Sequence, residues 1–133
     1  MALSFPAELR YADSHEYAGP SGPSGAGMRL GISAFAVDQL GDIVFVELPA
    51  VGDQLERGNR LGTVESVKAV EEIYAPLSGK VLAINQAVID QPELLQQDPY
   101  GAGWLLELSA TEPQQFDDLL DAASYSAKLA GAA

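Results

Sequence analysis

Apolar residues fall into short bursts separated by glycine, proline, asparagine and aspartate, a rhythm that predicts many brief strands and few helices. Met28 to Ile32 reads as a strand, and Ser33 is placed to cap a short helix through Leu40, with Gly41 as its terminator. Ile43 to Leu48 is strongly β-prone and is stopped by Pro49. Val51-Gly52-Asp53 and Arg57-Gly58-Asn59 carry turn residues, so short strands joined by tight turns run up to Leu61-Gly62. Gly79 to Ile84 and Trp104 to Leu108 supply two further strands. Asp90-Gln91-Pro92-Glu93 couples a cap residue to a later Glu and opens a short helix through Gln96. Thr111-Glu112-Pro113-Gln114 repeats that signature, and Phe116, Leu119, Leu120 and Ala123 recur at helical spacing, which predicts a C-terminal helix over about 112–129.

The first eighteen residues are mixed, with Tyr11 and Tyr17 flanking a polar stretch, and suit short strands or an ordered arm. Gly19 to Gly27 reads as a mobile loop from its glycine, proline and serine content. Laid on itself, the chain aligns Gly41 to Val46 with Gly79 to Ile84, and Leu61 to Ser66 with Trp104 to Ser109. Two similar β units packed face to face follow, as a sandwich or a flattened barrel with pseudo-twofold symmetry.

Composition narrows the chemistry. At 133 residues, 47% of them apolar, the chain suits one domain over 1–133 with one core. Without cysteine it has no disulfide, thiolate zinc site or cysteine nucleophile, so any redox chemistry must be borrowed. A net charge of −12 argues against nucleic acid and anionic membrane surfaces and leaves basic protein partners open. No apolar run reaches the length of a membrane span, and Met1 to Tyr17 lacks the marks of a secretory or transit leader, so a cytoplasmic location is expected. His15 is the one histidine and cannot by itself build a catalytic triad. The adjacent carboxylates Asp117-Asp118 and Glu71-Glu72 lack a second ligand cluster for a metal, and solvated faces account for them. A non-catalytic protein is therefore expected.

The three lysines stand in different settings: Lys80 opens a strand, Lys128 sits in the C-terminal segment, and Lys68 is bracketed by Glu65 and by Glu71-Glu72. Val64, Val67, Glu71 and Tyr74 fall at helical spacing, and Thr63 could cap them. On that pattern Lys68 would be a solvated lysine paired with its glutamates along a helix.

Glu65-Ser66-Val67-Lys68-Ala69, however, resembles the lipoylation motif of the H proteins of the glycine cleavage system, and it has company. Ser14-His15-Glu16, Gly41 to Pro49, Ser78-Gly79-Lys80-Val81 with Asn85, and Asp98 to Trp104 resemble that family's other blocks, in its order, over roughly residues 10 to 125. The departures are Tyr17, where the family usually has Trp, and Gly19 to Gly27, where it usually has a short polar hairpin. Biotin carriers favour Met beside the modified lysine, where Val67 and Ala69 stand here. Lipoyl domains of oxoacid dehydrogenases more often place Asp before it and lack the C-terminal helix. An H-like interaction protein without the lipoyl group is the remaining alternative.

The resemblance implies a mainly β (α+β), lipoyl/biotinyl-domain-like sandwich or flattened hybrid barrel with short helices and a C-terminal helix. It places Lys68 at a hairpin tip, although Val67-Lys68 offers none of the Asn, Asp or Gly that tight hairpins prefer. It also implies lipoate attached covalently to Lys68 by a lipoylating enzyme. The lipoyl arm would shuttle the aminomethyl group of glycine among three partners. These are the pyridoxal-phosphate-dependent P protein, the tetrahydrofolate-dependent T protein and the dihydrolipoamide dehydrogenase or L protein, with the carrier itself a monomer. Such cargo ends in an amine that water would strip, so a carboxylate-lined groove is expected. Ser14, Glu16 and Glu72 are its candidates, at positions matching the family's.

Overall fold

The computed structural model describes residues 5–21 and 27–131. In chain order its elements begin with β1 (Arg10–Tyr11), β2 (Glu16–Ser21), β3 (Gly27–Ile32), α1 (Ala34–Leu40), β4 (Ile43–Glu47) and β5 (Gln54–Leu55). There follow β6 (Arg60–Ser66), β7 (Val70–Tyr74), β8 (Gly79–Ile84), α2 (Gln86–Asp90), α3 (Leu94–Gln97) and β9 (Leu106–Ala110). A 3-10 segment (Pro113–Asp118) and α4 (Ala122–Gly131) complete the described chain. Two antiparallel sheets result, in the orders β1-β2-β3-β9-β8-β5 and β4-β6-β7, and they do not close into a barrel. One apolar core draws on both, with Leu30, Ile32, Val81, Leu106 and Leu108 from the larger sheet and Ile43, Val46, Val64 and Ile73 from the smaller. A second, aromatic cluster of Tyr11, Tyr17 and Tyr125 sits apart from it.

Local chemistry explains why several elements fall where the pattern put them. Ser33 caps α1 by accepting from the Ala36 amide at 3.3 Å, and Gly41 ends it at φ +77°. Gly52 and Gly58 take positive φ in the turns around β5, a region where a side chain would strain the backbone. Pro20 lies in β2 beyond the reach of β1, whose pairing stops at Ala18, so its missing N–H leaves no ladder bond unmade on that edge.

Four expectations need correction. The stretch read as a loop over Gly19 to Gly27 is strand at both ends, because β2 and β3 pair out to Ser21 and Gly27; residues 22–26 lie outside the described residues. Asp90 is the last residue of α2 rather than a cap, and α3 begins after Glu93, which makes no side-chain cap bond. The last strand starts at Leu106, since the Trp104 carbonyl is taken at 2.7 Å by the Asn85 side chain. The C-terminal helix is broken: Leu119 is extended, and Leu120 exchanges backbone hydrogen bonds of 2.7 and 2.8 Å with Tyr11. α4 then restarts with the Asp121 carboxylate accepting from the Ser124 amide at 2.8 Å.

The internal repeat has a physical counterpart. β4 pairs with β6 in one sheet and β8 with β9 in the other, and the register shifts at matching places, between Ile43 and Phe45 and between Val81 and Ala83. The second arms align one residue away from the sequence match: Val46 faces Val64 and Ile84 faces Leu106, so Val64 corresponds to Leu106 rather than to Glu107.

Candidate functional site

β6 and β7 form a hairpin, paired up to Glu65 and Val70, and Ser66-Val67-Lys68-Ala69 makes its bend. The helical reading of this segment is thereby overturned. Neither Val67 nor Lys68 adopts a positive φ, so the bend is not one of the glycine-requiring hairpin turns. Side-chain chemistry replaces them. The Ser66 hydroxyl oxygen accepts from the amides of Lys68 at 3.3 Å and Ala69 at 3.1 Å. The Ser66 amide donates to the Ala69 carbonyl at 2.8 Å, and that of Val67 to the Asp42 carbonyl at 3.0 Å. Every N–H of the bend is satisfied, and the tip is tied to the loop between α1 and β4.

Lys68 is exposed, as is Val67 at 70%. Its Cε lies 3.8 Å from where a Cβ on Gly41 would stand, and it makes no ion pair among the described residues. Immediately beyond the tip, from Ala69 onward, a groove of about 390 Å³ opens. Ser14, His15 and Glu16 form one wall, Phe35 and Gln39 of α1 a second, and Ala69, Glu71 and Glu72 a third. No lysine or arginine lines it among the described residues.

The three candidate groove residues are thus brought together, in unequal settings. Glu16 is 2% exposed. Its carboxylate accepts from the Ser14 hydroxyl and, at 3.1 Å, from the Tyr74 amide, so it bridges the two sheets at the groove. Burial pushes its pKa up to about 7, against the pull of these hydrogen bonds. Glu72 pairs opposite Thr63, where its carboxylate already accepts from the Tyr74 hydroxyl at 2.8 Å and lies 3.8 Å from Arg60.

Glu71 was missed as a groove residue. It sits opposite buried Val64, the face of β7 that points inward, whereas its sequence neighbour Glu72 shares the opposite face. Strand alternation carries that signal once the segment is known to be β. His15 was missed too: at φ +80° it separates Ser14 from Glu16, and its ring packs on Phe35 at 4.9 Å. Burial lowers its pKa, with Asp13 and Glu71 acting in the opposite sense. Among the described residues no group of His, Asp and Glu could hold a metal ion, and no helix is long and apolar enough to cross a membrane.

A two-sheet β fold that raises an unpaired lysine on a serine-stapled hairpin, beside an acidic groove, is of the lipoyl-domain-like carrier class. Comparison with known proteins makes this particular. The family described as "Glycine cleavage H-protein" matches residues 9–131. A relative named glycine cleavage system H protein from Synechococcus sp. (strain RCC307) is 70% identical, covering 98% of both chains. Another so named, from Thermosynechococcus vestitus (strain NIES-2133 / IAM M-273 / BP-1), is 60% identical over 98% of this chain and 99% of its own. The crystal structure of a glycine cleavage system H protein from Mycobacterium marinum superposes with a TM-score of 0.86 at 37% identity, covering 95% of this chain and 99% of that one. The chain belongs to the glycine cleavage H-protein family. Its place in the glycine cleavage system is that of the carrier subunit, and a lipoyl-carrying role follows from the family. The reading as an acyl or carboxyl carrier domain falls with that match.

Proposed function

We propose that this chain is a non-catalytic carrier whose Lys68 bears lipoate through an amide and whose groove shelters the amine end of the cargo. The observation that carries the reading is the juxtaposition of an exposed, unpaired lysine at a rigid bend with a carboxylate-lined groove starting one residue away. The residues present fit the group: the amine is accessible to an attaching enzyme, and the groove is of a size to seat a slender chain. When bound, the lipoyl dithiolane supplies what a cysteine-free chain lacks, cycling between disulfide and dithiol while carrying a one-carbon amine derived from glycine.

The chain's own residues perform the remaining work. Ser66 fixes the backbone of the tip, so Lys68 is presented in one orientation. An ammonium entering the groove favours the ionised form of Glu16 and is met by Glu71 and Glu72 at the rim, while Phe35 excludes water from one side. Ser14 orients the Glu16 carboxylate by donating to it. A carrier so built, acting as a cytoplasmic monomer, would be lipoylated by its attaching enzyme. It would then visit the glycine-decarboxylating P protein, the tetrahydrofolate-dependent T protein and the dihydrolipoamide-oxidising L protein in turn. Tethering gives each encounter a high effective concentration of cargo.

Lys68→Arg keeps charge and length but cannot form the amide. In glycine decarboxylation reconstituted with the partner enzymes, the variant is expected to support no turnover. Peptide mass spectrometry of the parent is expected to place one lipoyl group on the peptide containing Lys68. Full activity of the variant, or a lipoyl group on Lys80 or Lys128, overturns the assignment.

A further inference from the structure

We infer that Tyr125 is a positioning residue for the groove: its hydroxyl ties the C-terminal helix to His15 and Ser33, and through them sets Ser14, Glu16 and Phe35. The inference rests on the reading of the groove as the seat of the amine. Tyr125 does not line the groove and is 1% exposed. Its hydroxyl lies 2.7 Å from His15 Nδ1 and 2.7 Å from Ser33 Oγ. A phenol has one proton to give and lone pairs to accept with; we take the chain to run from the Ser33 hydroxyl to the Tyr125 hydroxyl to an accepting Nδ1 of a His15 ring that burial favours in its neutral form. Ser33 Oγ still accepts from the Ala36 amide at 3.3 Å, so its capping of α1 belongs to the same chain.

Both anchors control groove walls. His15 stands between Ser14 and Glu16 in a left-handed conformation that a non-glycine residue keeps only when its surroundings hold it there. Its amide donates to the Ala12 carbonyl and its carbonyl accepts from the Ser33 amide, each at 2.9 Å. The Tyr125 hydroxyl is the side-chain part of that restraint. Ser33, fully buried, sets the start of α1, whose Phe35 and Gln39 face the groove. The Tyr125 ring itself is fixed independently, stacked on Tyr11 at 4.7 Å and 6° and edge-on to Phe5 at 5.1 Å. Removing the hydroxyl alone therefore leaves the aromatic cluster in place and frees the wall.

Tyr125→Phe is the test, in the full chain. Because His15 is the one histidine, its imidazole gives a single set of NMR signals to titrate without any lipoyl group. The groups facing it are Asp13 on its own turn, Glu71 from β7, and Tyr125 and Lys128 from α4. In the variant only the hydroxyl changes, and His15 is expected to titrate at higher pH than in the parent. In the lipoylated, cargo-bearing protein, loss of the amine to water is expected to quicken about fivefold, the factor of one ordinary buried hydrogen bond. Leu129→Ala loosens the packing of α4 on the aromatic cluster without touching the hydroxyl. It is expected to lower Tm and leave both readouts in place. The inference is overturned if Tyr125→Phe moves neither readout, or if Leu129→Ala moves them equally. Glu16→Gln separates the two levels: fast loss there with none in Tyr125→Phe removes only the positioning role. Unchanged loss in Glu16→Gln removes the groove reading and this inference with it.

Discussion

At the scale of the residue, Glu16 carries a cost and a use at once. A carboxyl 2% exposed, with its pKa raised to about 7 from an ordinary 4.5, keeps a proton in the folded chain that it loses in the unfolded one. Between those two values the folded state binds more protons, so stability falls as pH rises through the window and stays low above it. At about 1.4 kcal/mol per pH unit the loss is on the order of 3 kcal/mol. Glu16→Gln removes it, since the amide can accept from the Tyr74 N–H and hydrogen-bond Ser14 without ionising. Thermal melts are expected to coincide for variant and parent near pH 4.5 and to favour the variant increasingly up to pH 8, while its hold on an ammonium weakens. Parallel melts across the range would show that the carboxylate is not paying a burial penalty. A stabilising substitution at the expense of the site is the pattern expected of a group kept for binding.

At the scale of the element, the hairpin bearing Lys68 depends on one hydroxyl. Ser66→Ala leaves the amides of Lys68 and Ala69 without their partner. A local loss of about 1 kcal/mol is expected, seen as roughly fivefold faster hydrogen exchange at those two amides, with a fall in kcat/KM for lipoylation. Unchanged exchange would mean the Asp42 carbonyl bond to Val67 suffices to hold the tip. This bend also shows where sequence reasoning stops. Strands such as Gly79–Ile84 were legible because alternation and flanking breakers agree. The Lys68 segment has helical spacing, and only resemblance marked it as a hairpin, since the stapling role of Ser66 is a matter of three-dimensional contact. α2 was missed although Asn85 is a proper cap, accepting from the Ala87 amide at 3.2 Å. The break in the C-terminal helix was not legible, because a backbone bridge to Tyr11, far away in sequence, overrides a good apolar stripe. Within the candidate site, Ser14, Glu16, Glu72 and Lys68 were proposed from motifs; that Glu71 also lines the groove required the strand register, and the contact of Tyr125 the docking of a distant helix.

At the scale of the whole molecule, the two β pairs with matching bulges make similar frames, yet only one ends in an exposed lysine hairpin, and the surroundings of that end are distinctive. The outer face of the smaller sheet carries a row of Phe45, Glu65 and Val70, followed by Glu47, Thr63 and Glu72. Phe45 is 50% and Val70 61% exposed. Arg60 is engaged by Glu47 at 2.7 Å and by Glu72 at 3.8 Å, so its charge on this face is already neutralised. The face around Lys68 presents a negative field on a chain of net charge −12, so the docking face that complements it is basic and is drawn in by that field, and amide formation at Lys68 makes the field one unit stronger. Screening acts on such long-range attraction and scarcely on contacts already formed: the Debye length shortens from about 30 Å at 0.01 M salt to about 8 Å at 0.15 M. Stopped-flow association with the lipoylating enzyme is accordingly expected to slow about tenfold over that range while dissociation changes little. An association rate indifferent to salt would mean that the apolar row, and not the charge around it, brings the partners to the lysine.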